Sequence, residues 1–191
     1  MNVNLYKNHK TSQWSGGSTT ELFILPAEAT YSERNFKLRI SIAKVDDEQS
    51  TFTPLIGVKR KLMVLDGEIN LSHKDQHRSV LKRFDVDIFQ GDWTTTCIGT
   101  CTDFNVMTMG HLKSELFGLD IAPETRANNI ELGAEWKALY VFVLSGSLQI
   151  EINQETLVIE EGNLLVIDRV TQKLFPTYSK DGCQIVVTKT T

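Results

Sequence analysis

The chain of 191 residues carries 24 Asp and Glu against 20 Lys and Arg, a formal net charge of −4 with a pI near 5.6. That balance offers no global attraction to a phosphate backbone, so nucleic acid is not an expected partner. At 41 % hydrophobic and 23 % charged, the makeup is that of an ordinary globular protein, long enough for one body or two small halves.

Residues 1–13 are polar with scattered apolar positions and read as an extended segment. They lack the apolar run of a signal peptide, and no later stretch is apolar for the roughly 20 residues a membrane helix needs, so the chain reads as cytoplasmic with no membrane partner. Trp14-Ser15-Gly16-Gly17-Ser18-Thr19-Thr20-Glu21 follows, a glycine-rich turn behind a tryptophan. Adjacent glycines suit a tight corner or an anion resting on backbone amides. A phosphate loop would add a lysine and a helix, and neither follows.

Residues 22–25 form a strand ended by Pro26, and 27–35 a polar loop. The clearest alternation in the chain comes next: Phe36, Leu38, Ile40 and Ile42 point one way, Lys37, Arg39, Ser41 and Ala43 the other. The second face ends in small Ser41 and Ala43, which is odd for a solvent face. Asp46-Asp47-Glu48-Gln49 is an acidic turn. Residues 59–65 form a strand closed by Asp66-Gly67, a strong hairpin signal, with 68–71 returning. His73 and His77 have a spacing that would bind metal on a helix, but Lys74, Gln76 and Arg78 around them argue for an exposed turn. One or two short strands lie in 80–92, another passes through Cys97, and 103–109 closes the half. In that closing strand Asp103 and Asn105 share one side of an apolar run, where unpaired polar groups cost free energy. Their expected partners lie in 36–43 and 57–60. The three cysteines, Cys97, Cys101 and Cys183, are an odd and sparse set, read as buried reduced thiols rather than disulfide or metal ligands.

After Gly110 the pattern restarts. Residues 136–144 are nearly continuously apolar, Ser145-Gly146-Ser147 follows, 148–152 alternates, and strands are expected at 164–167 and 184–189. The glycine turn recurs from Gly67 to Gly146 and the closing strand from Val106 to Val186, both at about 80 residues. This is an internal duplication. No sustained helical period is present, and short strands at regular spacing argue for an all-β fold. The expected architecture is two cupin-like jelly-roll β-barrels in one chain, a bicupin, divided as 1–112 and 113–191.

Four blocks in order carry a family resemblance: Trp14 to Glu21 as above; Leu38-Arg39-Ile40-Ser41-Ile42-Ala43; Phe52-Thr53-Pro54-Leu55-Ile56-Gly57-Val58-Lys59-Arg60 with Leu65-Asp66-Gly67; and Asp103-Phe104-Asn105-Val106-Met107. Together they resemble the motif series of the HutD/Ves family, with Thr53 where a serine is more usual. The resemblance implies a bicupin fold and an association with histidine utilisation, with a regulatory role through an intermediate such as formylglutamate. It implies no established reaction.

Metal-dependent cupins hold their ion with histidines projecting from barrel strands, typically as His-x-His. The four histidines here, His9, His73, His77 and His111, include no such pair and none in an expected strand, so no metal or other cofactor is expected in a cupin site. The expected pocket works through charge and hydrogen bonds. Its candidate residues are Trp14, Gly16, Gly17, Thr20, Arg39, Ser41, Arg60, Asp103 and Asn105, and a small anionic or polar metabolite, such as a dicarboxylate or an amino-acid derivative, suits them. The competing reading pairs Arg39 with Asp103 inside the barrel and has Asn105 cap a loop. An enzyme using Asp103, or Lys37 if buried, as acid or base is a further alternative, and a homodimer is a third.

Overall fold

The computed structural model describes residues 1–124 and 129–191, and among them there is no helix. The strands in chain order are β1 (Asn2–Tyr6), β2 (Lys10–Trp14), β3 (Gly17–Leu25), β4 (Leu38–Val45), β5 (Gln49–Thr51), β6 (Val58–His73), β7 (Arg78–Lys82), β8 (Val86–Gln90), β9 (Thr95–Ile98) and β10 (Cys101–Met109). They continue with β11 (Ser114–Ile121), β12 (Asn129–Glu131), β13 (Ala138–Ile152), β14 (Glu155–Glu160), β15 (Leu164–Asp168), β16 (Leu174–Tyr178) and β17 (Cys183–Thr190). No helix of the described residues is long and apolar enough to cross a membrane.

The chain divides into His9–Leu112 and a second unit of Lys113–Thr191 with Met1–Asn8. The first eight residues therefore differ from the expected 1–112 division. β1 pairs antiparallel with β15, Asn2 Nδ2 donates to Asp168 Oδ1 at 2.8 Å, and Met1 and Leu5 pack on the core of that unit. A polar edge strand has its side chains in water, so its sequence carries little record of the sheet it joins.

Each unit is an all-β roll of cupin type. In His9–Leu112 the strands run in the order β2-β3-β4-β10-β6-β9-β5, with β7 and β8 also on β6. The long β6 serves twice: residues up to Gly67 pair with β10, and residues from Glu68 pair with β7 and β9. Asp66-Gly67 is accordingly not the hairpin expected from the sequence. Gly67 has φ +88° and sits opposite Cys101, where it lets one continuous strand bend from one sheet to the next. The actual turn follows His73, whose N–H donates to the His77 carbonyl at 2.9 Å.

β13 repeats this device. Gly146 has φ +79° and lies opposite Cys183 in β17. A Cβ on Gly67 would stand 2.5 Å from the Thr100 carbonyl oxygen, and on Gly146 2.5 Å from that of Gly182. Gly67→Ala and Gly146→Ala are each expected to destabilise the chain by about 2 kcal/mol or more, measured by denaturant titration.

The two cores differ in kind. The second unit is filled by aliphatic residues such as Leu139, Val141, Ile150, Ile185 and Val187, all fully buried. In His9–Leu112, apolar residues including Leu62, Val64, Ile69 and Phe89 fill only part of the interior. On β4 both faces are buried: Leu38 and Ile40 on one, Arg39 and Ser41 on the other. That is the physical reason for the small polar end of this face.

Candidate functional site

β10 lies between β4 and β6, and its register stacks the polar residues in rows. Met107 is opposite Arg39 and Arg60, Asn105 opposite Ser41, and Asp103 opposite Ala43. Residues directly opposite share a face, so these side chains converge on one interior hollow. They line a cavity of about 640 Å³ whose wall also includes Trp14, Thr19, Tyr31 and Phe52. The volume lies within the range of small-ligand sites.

Arg39 Nε meets Glu21 Oε2 at 2.8 Å, its Nη1 donates to Ser41 Oγ at 3.0 Å, and its Cζ lies 4.5 Å from the Tyr31 ring centroid. Arg60 Nη2 donates to Asn105 Oδ1 at 3.1 Å, and the guanidinium sits against Phe52 and Phe89, with Cζ 4.7 and 5.0 Å from their centroids. Its Nε is buried and has no hydrogen-bond partner among the described residues. Asn105 Nδ2 donates in turn to Asp103 Oδ1, and Cys101 Sγ lies 3.9 Å from Asp103 Oδ2.

Burial pushes the Asp103 carboxyl up to about 7, against the opposing pull of Arg60 and the hydrogen bonds of Asn105, Cys101 and the Ala43 backbone. Burial likewise lowers Arg60 to about 10, with Asp103 working against the drop. Arg60 stays a cation at neutral pH while Asp103 is poised to change charge there. The thiols are inert: burial raises Cys97 to about 11 and moves Cys101 and Cys183 upward as well, and all three are free and buried.

Six of the nine residues singled out from the sequence line this cavity: Trp14, Arg39, Ser41, Arg60, Asp103 and Asn105. Thr20 does not. It points to the other side of β3 and shares a 2.8 Å hydrogen bond with Thr11 Oγ1, while its neighbour Thr19 faces the hollow. Gly16 and Gly17 are not in the lining either. A Cβ on Gly16 would fall 2.4 Å from the Trp14 ring, and on Gly17 1.9 Å from the Lys44 carbonyl oxygen, so these glycines let the corner close against Trp14 and β4. Lys37 is exposed and precedes β4, which removes it as a buried acid or base. Arg39 pairs with Glu21 and not with Asp103, and Asn105 sits in mid-strand and not at a loop. Glu21 is a site residue that the sequence pattern does not single out, although it lies two residues beyond Thr19 on the same alternating strand.

The duplication supplies an internal comparison. β17 lies between β11 and β13 as β10 lies between β4 and β6. Counted from Gly67 opposite Cys101 and Gly146 opposite Cys183, Arg60 corresponds to Leu139, Asp103 to Ile185, Asn105 to Val187 and Ser41 to Phe117. The same scaffold is therefore built with apolar residues at every one of those four positions.

A second polar cluster lies away from the cavity lining. His73 was expected in an exposed turn, yet it ends β6 and is buried, packed 4.5 Å from the Phe89 ring centroid. Its Nδ1 lies 2.8 Å from Thr95 Oγ1 and its Nε2 3.1 Å from Asp87 Oδ2, while His77 Nε2 lies 2.8 Å from Asp87 Oδ1. Burial opposes ionisation of Asp87, but hydrogen bonds from His77, His73 and Ser79 more than offset it and hold the carboxyl below its ordinary range.

The family model of HutD matches residues 6–184. The chain belongs to the HutD family. No curated protein matches it. Among solved structures, a conserved protein of unknown function from Pseudomonas aeruginosa PAO1 is 18 % identical with a TM-score of 0.82, over 100 % of this chain and 99 % of that one. HutD from Pseudomonas fluorescens SBW25 is 18 % identical with a TM-score of 0.72, over 100 % of both chains. The bacterial pirin YhhW from Escherichia coli, solved in complex with nickel(II), is 11 % identical with a TM-score of 0.72, over 98 % of both. At these identities the likeness is one of fold, and the fold is the cupin one. A metal of the kind cupins hold does not fit the cavity of this HutD-family chain. Two guanidinium groups line it, its buried carboxyl, that of Asp103, is near half-protonation at neutral pH, and its lining offers no imidazole.

Proposed function

We propose that the His9–Leu112 unit binds a small carboxylate metabolite, a dicarboxylate or an amino-acid derivative of the formylglutamate type, and serves a regulatory or accessory role in histidine utilisation. One observation carries this reading: Arg60 is a buried cation on the wall of a cavity, its Nε without a hydrogen-bond partner among the described residues, at a position where the duplicated half holds Leu139. Buried charges are costly, and apolar replacements of similar volume are commonly as stable or more so. The second unit builds the same scaffold without them, so the presence of Arg60, Asp103 and Asn105 here points to an occupant.

The chemistry follows from the groups present. Arg39 is neutralised by Glu21, whereas Arg60 is offset only by an Asp103 that is partly protonated at neutral pH, which leaves the hollow receptive to one carboxylate beside the Arg60 guanidinium. Ser41, Asn105 and Asp103 remain to meet the polar remainder of the ligand. A thermal-shift screen of carboxylates and amino-acid derivatives, formylglutamate included, tests the reading. A ligand at about 100 times its Kd adds roughly 2.7 kcal/mol of stability, and Arg60→Met, which removes the uncompensated cation, is expected to lose most of that shift. An absence of any hit, or equal shifts in wild type and Arg60→Met, would overturn it.

The pKa of about 7 at Asp103 favours a second reading, proton transfer to or from the bound ligand by a metal-independent enzyme. Turnover of a hit, followed by mass spectrometry and abolished in Asp103→Asn, would select it over simple binding.

A further inference from the structure

We propose that His73, His77 and Asp87 form a zinc-type metal site at the far end of β6, with one coordination position open to solvent. The site is independent of the carboxylate cavity, since none of the three residues lines it. The donor set is two imidazole nitrogens and a carboxylate, whose ligand atoms all lie within 4.8 Å of one another. This is the kind and number of protein ligands that zinc takes when it keeps a bound water.

Backbone geometry brings the donors together without a helix. The tight turn closed by the His73 N–H and the His77 carbonyl sets both rings on one side, with centroids 4.5 Å apart. Asp87 reaches them from β8, its Oδ1 also accepting the Ile88 N–H at 2.7 Å. Three separate pieces of chain, the end of β6 with the turn after it, β8 and the start of β9, meet at this point, so an ion there would tie them.

The hydrogen-bond pattern at His73 accommodates a cation. With Nε2 protonated, His73 donates to Asp87 Oδ2 at 3.1 Å and its Nδ1 accepts from the Thr95 hydroxyl at 2.8 Å. An ion takes the place of the Nε2 proton between His73 and Asp87, and Nδ1–H then donates to the Thr95 oxygen, which is free to turn its own hydrogen towards the Trp93 carbonyl. The Thr95 oxygen on Nδ1 would then serve as the outer hydrogen-bond acceptor that orients a metal-bound histidine. With metal bonds of about 2.0–2.1 Å, tetrahedral ligand atoms stand about 3.3 Å apart. The 2.8 and 3.1 Å separations, which run to different oxygens of Asp87, open slightly, and the three ligand atoms, all within 4.8 Å of one another, draw in towards that spacing. Phe89 and Trp93 wall the inner side, and His77, whose side chain is 39 % exposed, leaves a route for the ion and its water.

The test titrates tag-free, full-length protein with Co²⁺ and follows the ligand-field absorption, with Zn²⁺ as competitor. One equivalent of Co²⁺ with low-coordinate bands, displaced by Zn²⁺, is expected. His77→Ala should weaken binding at least ~10-fold, and Thr95→Val by ~10-fold or more through loss of the outer hydrogen bond. A His9→Gln/His111→Gln variant should bind as wild type. Far-UV circular dichroism checks that each variant folds, and His77→Gln replaces His77→Ala if the latter does not. Absent bands, or unchanged affinity in the folded His77 variant, would overturn the proposal and leave a proton as the bridging cation.

Discussion

Replacing Arg60 by methionine is expected to abolish the response to carboxylates while leaving the fold intact. Truncating one member of a buried, hydrogen-bonded charge contact costs about 2–5 kcal/mol in binding, a loss of 30-fold or more. Methionine keeps an apolar stem between Phe52 and Phe89, so the cavity wall survives and the charge and its hydrogen-bond donors are what is lost. Calorimetry with whichever carboxylate shifts the wild type reads the effect, and binding within threefold of wild type would end the assignment of Arg60 as the anchor. The sharper variant copies the other half of the chain. Arg60→Leu, Asp103→Ile and Asn105→Val together reproduce Leu139, Ile185 and Val187. Apolar replacement of a buried charged group is commonly neutral or stabilising by about 1–4 kcal/mol. The triple variant is therefore expected to melt no lower than wild type while binding nothing, a separation of stability from binding that a purely structural role for these residues would not produce.

Affinity for the carboxylate is expected to be flat below pH 7 and to fall by up to about tenfold per pH unit above it. The Asp103 carboxyl titrates at about 7 in the free protein, and a bound anion beside it raises that value further, so binding above pH 7 must take up a proton. Asp103→Asn is expected to flatten the profile. The same residue leaves a mark on stability. Its folded value is raised from the ordinary 3.8 to about 7, so the stabilisation it offers is complete below pH 4 and lost as pH rises towards 7. At about 1.4 kcal/mol per pH unit, the unfolding free energy falls by a few kcal/mol across that window and then levels. Asp87, held below its ordinary range, contributes in the opposite direction and only at lower pH. Urea titrations at pH 4.5 and 8 on wild type and Asp103→Asn measure the difference, and an equal pH dependence in both would refute the assignment.

Much of this site is legible in the sequence because strand alternation is a strong signal. The pattern around Arg39 and Ser41, and the paired Asp103 and Asn105, mark polar groups on a face that burial statistics would fill with apolar ones, and the register then places them together. The offset of about 80 residues reveals the two rolls for the same reason. What could not be read depends on details that alternation does not encode. Asp66-Gly67 satisfies the local rule for a hairpin, but a positive-φ glycine equally serves a strand that changes sheets, and only the long-range pairing with Cys101 decides. Glu21 stands opposite Ser41 on the face that Arg39 shares, a cross-strand pairing that the register of β3 on β4 decides and the local sequence does not. His73 was misplaced because its charged neighbours face water while the ring itself turns under Phe89 and Trp93.

Three shielded sulfhydryls, held protonated well beyond neutral pH, give the chain a chemically silent background towards maleimides and mild oxidants. A single cysteine introduced for Ser15, an exposed residue on the cavity wall, would then carry a fluorophore at one defined place. That label could report occupancy directly, in a wild-type interior and without reductant.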